Sequence, residues 1–88
     1  MYEVEFTERA REGLTRLDKQ TAQRILNKIR WLAENFDAIT PEQLTGQWQG
    51  MYKLRVGDYR IVYSYKTTER RLILVHLIGH RREVYKIN

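Results

Sequence analysis

Hydrophobic and polar positions change rhythm several times along the chain, and each change marks an element. Met1 to Phe6 alternates, with Tyr2, Val4 and Phe6 on one side and Glu3 and Glu5 on the other, which predicts a half-buried strand. Thr7 is placed to cap a short helix, with Glu8 in the first turn where the helix dipole favours an acid. Ala10, Leu14 and Leu17 then follow at helical spacing. Asp18 can cap a second, longer helix to about Phe36. Its Ala22, Ile25, Leu26, Ile29, Leu32, Ala33 and Phe36 form one stripe roughly 120° wide. Trp31 falls opposite that stripe and is expected to pack on a loop or on the first helix. The two helices predict a hairpin laid across one face of a sheet.

From Asp37 to Gly50 the pattern is irregular. This stretch holds the only proline, Pro41, with Leu44 and Trp48 available to pin it down. Period two returns at Met51 to Lys66, around Gly57-Asp58, a two-residue loop with glycine first that suits a type II′ hairpin turn. That turn sets Arg55 opposite Arg60 and Lys53 opposite Val62. Tyr52, Leu54, Val56, Tyr59, Ile61, Tyr63 and Tyr65 share one face; Met51, Lys53, Arg55, Arg60, Val62, Ser64 and Lys66 share the other. The second face carries four cations with no acid among them. Like charges opposite one another in a ladder are destabilising, so an anionic ligand is expected there. Leu72 to Ile78 is apolar on both sides except for His76, as in a covered central strand, where a histidine is read as a hydrogen-bonded core residue. Gly79 ends it, and a basic tail follows. The order is β-α-α-β-β-β, an α+β domain spanning residues 1–88 with its helices on one face of an antiparallel-rich sheet.

Charge sharpens this picture. Residues 1–44 hold seven Lys/Arg against eight Asp/Glu, whereas residues 45–88 hold nine against three. The strand-rich half is the basic half, a footprint that suits nucleic acid or another anionic partner. With no cysteine there is no disulfide framework and no thiolate metal site. No apolar run reaches the length of a membrane span and the N-terminus has no signal-peptide pattern, so a cytoplasmic protein is expected.

Two blocks carry a resemblance. Leu44-x-Gly46 leading into Tyr52-Lys53-Leu54-Arg55-Val56-Gly57-Asp58-Tyr59-Arg60-Ile61-Val62-Tyr63, and the ending Gly79-His80-Arg81-Arg82-Glu83-Val84-Tyr85, resemble the RelE family within the RelE/ParE toxin superfamily of bacterial and archaeal toxin–antitoxin systems. The resemblance covers nearly the whole chain. It implies a ribosome-dependent endoribonuclease that enters the ribosomal A site, against 16S rRNA, and cuts mRNA there. Cleavage would proceed without metal or other cofactor, by attack of the RNA 2′-hydroxyl on the neighbouring phosphate. A cognate RelB-like antitoxin would hold the protein inactive.

The resemblance assigns catalysis to Lys53, Arg55, Arg60, Arg81 and Tyr85. Lys53 is the candidate base, with nearby Arg55 and Arg60 repelling its proton. Arg60 would stabilise the phosphorane, Arg81 would serve the leaving group or phosphate, and Tyr85 would orient or stack on the substrate. Arg55 stands where some members carry a second lysine, and arginine stays protonated in proteins. His80 rivals Arg81 as the acid. Arg82 and Lys66, with His80, are expected to attract phosphate. Two other readings stay open: a ParE-like protein that poisons DNA gyrase without catalysis, and a non-catalytic RNA-binding module.

Overall fold

The computed structural model describes residues 1–84. Strand β1 (Glu3–Phe6) leads into helices α1 (Glu8–Thr15) and α2 (Lys19–Asn35), and a 3-10 turn at Phe36–Ala38 opens the connection that follows. Then come a two-residue strand β2 (Glu42–Gln43), a second 3-10 turn at Gly46–Trp48, strands β3 (Tyr52–Val56), β4 (Tyr59–Lys66) and β5 (Leu72–His80), and a last helical turn α3 (Arg81–Val84). The five strands lie in the order β1-β5-β4-β3-β2, with β1 parallel to β5 and every other pair antiparallel. The α+β layering is as expected. The additional strand is β2, which the sequence rhythm does not betray. Among the described residues, no helix is long and apolar enough to cross a membrane.

Both helix starts follow from their caps. The Thr7 hydroxyl accepts a hydrogen bond from Ala10 N at 3.1 Å, and the Asp18 carboxylate accepts one from Thr21 N at 3.2 Å. Each satisfies an amide that has no carbonyl partner inside its helix. The Thr21 hydroxyl, and after it the Thr21 amide, also holds the Asp18 carboxyl below its usual range.

The principal core lies between the helices and the sheet. Ile25, Ile29, Leu32, Ala33 and Phe36 of the α2 stripe meet Val56, Ile61, Tyr63, Ile73, Val75 and Ile78. Phe36 is the aromatic hub, its ring centroid 4.7 Å from those of both Tyr2 and Tyr65. Edge-on and tilted contacts of this kind add to the area that the rings bury. Burial pushes the Tyr63 phenol well above its usual range. Helix α1 crosses β5 at Gly13, where even a methyl group would run into the Ile78 carbonyl.

The β3–β4 hairpin has the expected register, with Arg55 opposite Arg60, Lys53 opposite Val62 and Val56 opposite Tyr59. Gly57 has φ +58° and Asp58 does not share the positive φ, as a II′ turn requires.

Strand β5 departs from simple alternation. Val62 pairs with Leu77 but Tyr63 pairs with Val75, so His76 is an extra residue, a β-bulge. Thr7 meets this point from β1: its amide continues the β1–β5 ladder by donating to the Val75 carbonyl, and its hydroxyl donates to the carbonyl of the extra residue, His76. The bulge resets the phase, and Leu77 joins Val62 on the face away from the helices. There the two pack with Val84 in a second, smaller core to which Leu44, Trp48 and Met51 contribute. At this end the 37–51 segment and α3 cover that face. Leu44 and Trp48 do pin the segment down.

Candidate functional site

The basic face is assembled around the second core. Strand β3 presents Lys53 and Arg55, strand β4 presents Arg60 on the same side as buried Val62, and α3, anchored by Val84, brings Arg81 to the hairpin turn. Arg81 N donates to the Asp58 carbonyl at 2.8 Å, and Arg81 Nε lies 3.8 Å from Asp58 Oδ1. Asp58 therefore joins two blocks that are far apart in the chain. Lys53 and Arg60 are diagonal neighbours across the ladder, a separation of about 7–8 Å for such positions.

One expectation is overturned. The face is not free of acids, because Glu42 on β2 pairs with Lys53 across the sheet edge. Glu42 Oε2 lies 3.1 Å from Lys53 Nζ and 3.6 Å from an Arg55 terminal nitrogen. Glu42 offsets the like-charge strain between β3 and β4, so that strain no longer demands an external anion. It also means that Lys53, expected as a base surrounded by cations alone, is held in an ion pair.

Arg60 is partly occupied by its own turn. One terminal nitrogen donates to the Gly57 and Tyr59 carbonyls, each at 2.9 Å. A guanidinium has five N–H donors, and both bonds use the same nitrogen, so the other edge keeps its capacity to grip a phosphate.

The remaining candidates are dispersed. His80 faces the helix side, its ring 5.6 Å from that of Tyr59. Its Nδ1 accepts a hydrogen bond from Arg82 N at 3.1 Å, so His80 serves as a cap for α3. His80 and Tyr59 border a cleft of about 560 Å³ under α1 that also holds Arg9, Glu12 and Arg16. Arg82 is exposed on α3. Lys66 lies at the far end of β4, roughly 20 Å from Arg60 at the strand's rise per residue, and takes no part in the cluster. Tyr85 lies outside the described residues.

His76 is hydrogen-bonded as expected, but it is half-buried and belongs to neither core. Its Nε2 is 2.8 Å from the Ser64 hydroxyl, and burial holds its pKa below the usual 6.5. Elsewhere Arg70 bridges Glu3 at 3.1 Å and Glu5 at 2.6 Å, fastening the acidic side of β1 to the β4–β5 turn; its hydrogen bond and charge hold the Glu3 carboxyl below the usual range. Among the described residues no three His, Cys, Asp or Glu side chains gather as metal ligands. Sequence reasoning missed Glu42 and Asp58 as members of the site. Asp58 was legible as a turn residue only, and Glu42 carried no periodic signal at all.

The model of the ParE toxin of type II toxin–antitoxin systems matches residues 4–85, almost the whole chain. The chain belongs to this toxin family. Its architecture agrees with solved relatives across the RelE/ParE superfamily. The isolated RelE toxin of E. coli is similar at 27% identity with a TM-score of 0.73, over 98% of this chain and 93% of that one. The toxin–antitoxin complex RelBE2 of Mycobacterium tuberculosis gives a TM-score of 0.79 at 23% identity, over 91% of this chain and 98% of that one. The RelE–RelB complex of Pyrococcus horikoshii gives 0.69 at 22% identity, over 94% and 98%. The last two likenesses concern the fold alone. No curated protein sequence matches the chain.

Proposed function

We propose that this type II toxin is a ribosome-dependent endoribonuclease that cuts mRNA in the A site, and that a RelB-like antitoxin restrains it. The observation that supports this most is the convergence of Lys53, Arg55, Arg60 and Arg81 from three elements onto one face. The short helical hairpin, with eight residues in α1 and seventeen in α2, favours the RelE-like branch over the ParE-like one.

The chemistry follows from the residues present. The 2′-oxygen attacks phosphorus, the P–O5′ bond breaks, and a 2′,3′-cyclic phosphate and a 5′-hydroxyl remain. An ammonium in an ion pair has no lone pair to offer, whereas its partner carboxylate does. Glu42 thus accepts the 2′-hydroxyl proton, with Lys53 orienting that carboxylate and sharing the charge. Arg60 presents its free edge to the phosphorane oxygens. Arg81 neutralises charge on the departing 5′-oxygen without giving up a proton, since arginine stays protonated, and solvent water supplies the proton that makes that oxygen a hydroxyl while Glu42 returns its own proton to water.

The test is primer extension on an mRNA being translated in a cell-free system, with ribosomes present or withheld. New 5′ ends at A-site codons only with ribosomes, lost in Arg60→Ala while RNA binding persists, are expected. Intact mRNA in the presence of folded protein, together with inhibited gyrase supercoiling, would overturn the reading in favour of the gyrase-poisoning branch.

A further inference from the structure

Trp31 has no part in either core. It is 40% exposed on α2, on the side away from the apolar stripe, and Lys28 Nζ lies over its ring at 3.9 Å from the centroid. It was expected to be packed away, and it is not. Its surroundings are informative. Lys28 and Trp31 from α2, Ile39 from the following segment, Glu42 from β2, and Lys53 and Arg55 from β3 line one pocket of about 370 Å³. An exposed aromatic ring therefore borders the same pocket as Glu42, Lys53 and Arg55.

We propose that Trp31 is a stacking shelf for one base of single-stranded RNA, holding a nucleotide next to the one whose phosphate meets the basic face. This rests on the nuclease reading above. Three considerations favour RNA over a protein partner. The pocket lies at the lower end of the size range of small-ligand sites, as one nucleotide requires. Three cations, Lys28, Lys53 and Arg55, and a single carboxylate line it, a net positive charge of the kind a phosphate backbone requires. Single-strand binders combine such cationic tracks with aromatic platforms, because every base has a π-face. Lys28 does not block the ring. A cation over an exposed aromatic holds more weakly than a stacked base, so an arriving base displaces the ammonium, which moves to the phosphate.

The probe is a short fluorescein-labelled oligoadenylate, titrated with the full chain over a range of salt concentrations. Trp31→Ala should weaken binding about tenfold at every salt concentration, with the salt slope unchanged, and Trp31→Phe should restore most of it. Lys28→Ala should instead flatten the slope. A base-free ribose-phosphate oligomer should bind wild type and Trp31→Ala equally. Unchanged oligoadenylate affinity in folded Trp31→Ala, or no binding by wild type at low salt, overturns the proposal and leaves Trp31 to a protein partner. The two readings fail separately. Trp31-dependent RNA binding without cleavage of translated mRNA sinks the nuclease and keeps the shelf, whereas cleavage and binding indifferent to Trp31 do the reverse.

Discussion

Gly13→Ala tests the packing that positions the whole sheet. A Cβ at Gly13 would stand 2.2 Å from the Ile78 carbonyl oxygen and 3.2 Å from its carbon. Ordinary contact begins near 3.4 Å, so α1 must lift by about 1 Å. The obstacle cannot swing aside, because Ile78 lies within the β4–β5 ladder opposite Ile61. Lifting α1 also loosens Ala10, which is fully buried, and Leu14. A gap of this size forfeits a quarter to a half of each dispersion contact along the seam, and overpacking of a well-filled core costs about 1–3 kcal/mol. Alanine's better helix propensity returns about 1 kcal/mol. The clash is with backbone and the seam spans the helix, so the cost belongs at or above the upper end of that range and a net loss of about 2 kcal/mol is expected. For a domain of this size that lowers Tm by about 8–16 °C. Urea unfolding followed by circular dichroism should show a lower midpoint with an unchanged slope. A Gly13→Ala protein as stable as wild type, or more so, would refute the close approach of α1 to β5.

Two further outcomes separate chemistry from scaffold. Glu42→Gln removes a partly exposed ion pair, so stability should move by less than about 1 kcal/mol. Single-turnover cleavage on programmed ribosomes should nevertheless fall about 100-fold or more; full cleavage by this variant would return the proton to another group. His76 gives a pH signature. Its pKa is lowered in the folded state by burial, so the unfolded chain binds the extra proton first and stability falls as pH drops below 6.5, until the folded pKa is passed. Urea midpoints across pH 5 to 8 should show that slope in wild type and lose it in His76→Leu; an identical slope in both would clear His76 of the role.

Local rules account for what was legible. The caps at Thr7 and Asp18, the α2 stripe and the hairpin register all depend on residues a few positions apart. Glu42 was invisible because β2 is two residues long, too short for any period, and meets Lys53 only after the chain has closed a loop through the 3-10 turn at Gly46–Trp48. Asp58 read as turn chemistry, and its grip on Arg81 is a contact between distant segments. The ion pair that Glu42 makes reverses the inference drawn from Arg55 and Arg60 alone. Charge counted along one hairpin is not charge at a site.

The bulge at His76 decides which tail residue reaches the basic face. Unbroken alternation along β5 would carry His76, Ile78 and His80 to the side of Arg60, and would leave Leu77 facing the helices. The extra residue instead turns Leu77 outward to meet Val62 and Val84, while Ile78 joins the principal core. His80 is thereby sent behind the sheet to Tyr59, where its ring caps α3. That cap starts the turn in which Arg81 bonds to Asp58 and Val84 closes the second core. A histidine that would compete with Arg81 for the leaving group is thus the residue that helps hold Arg81 in place. The carbonyl of the inserted residue, His76, accepts from the hydroxyl of Thr7, the residue that starts α1. One added residue in β5 therefore couples the start of the helical layer to the arrangement of the basic face.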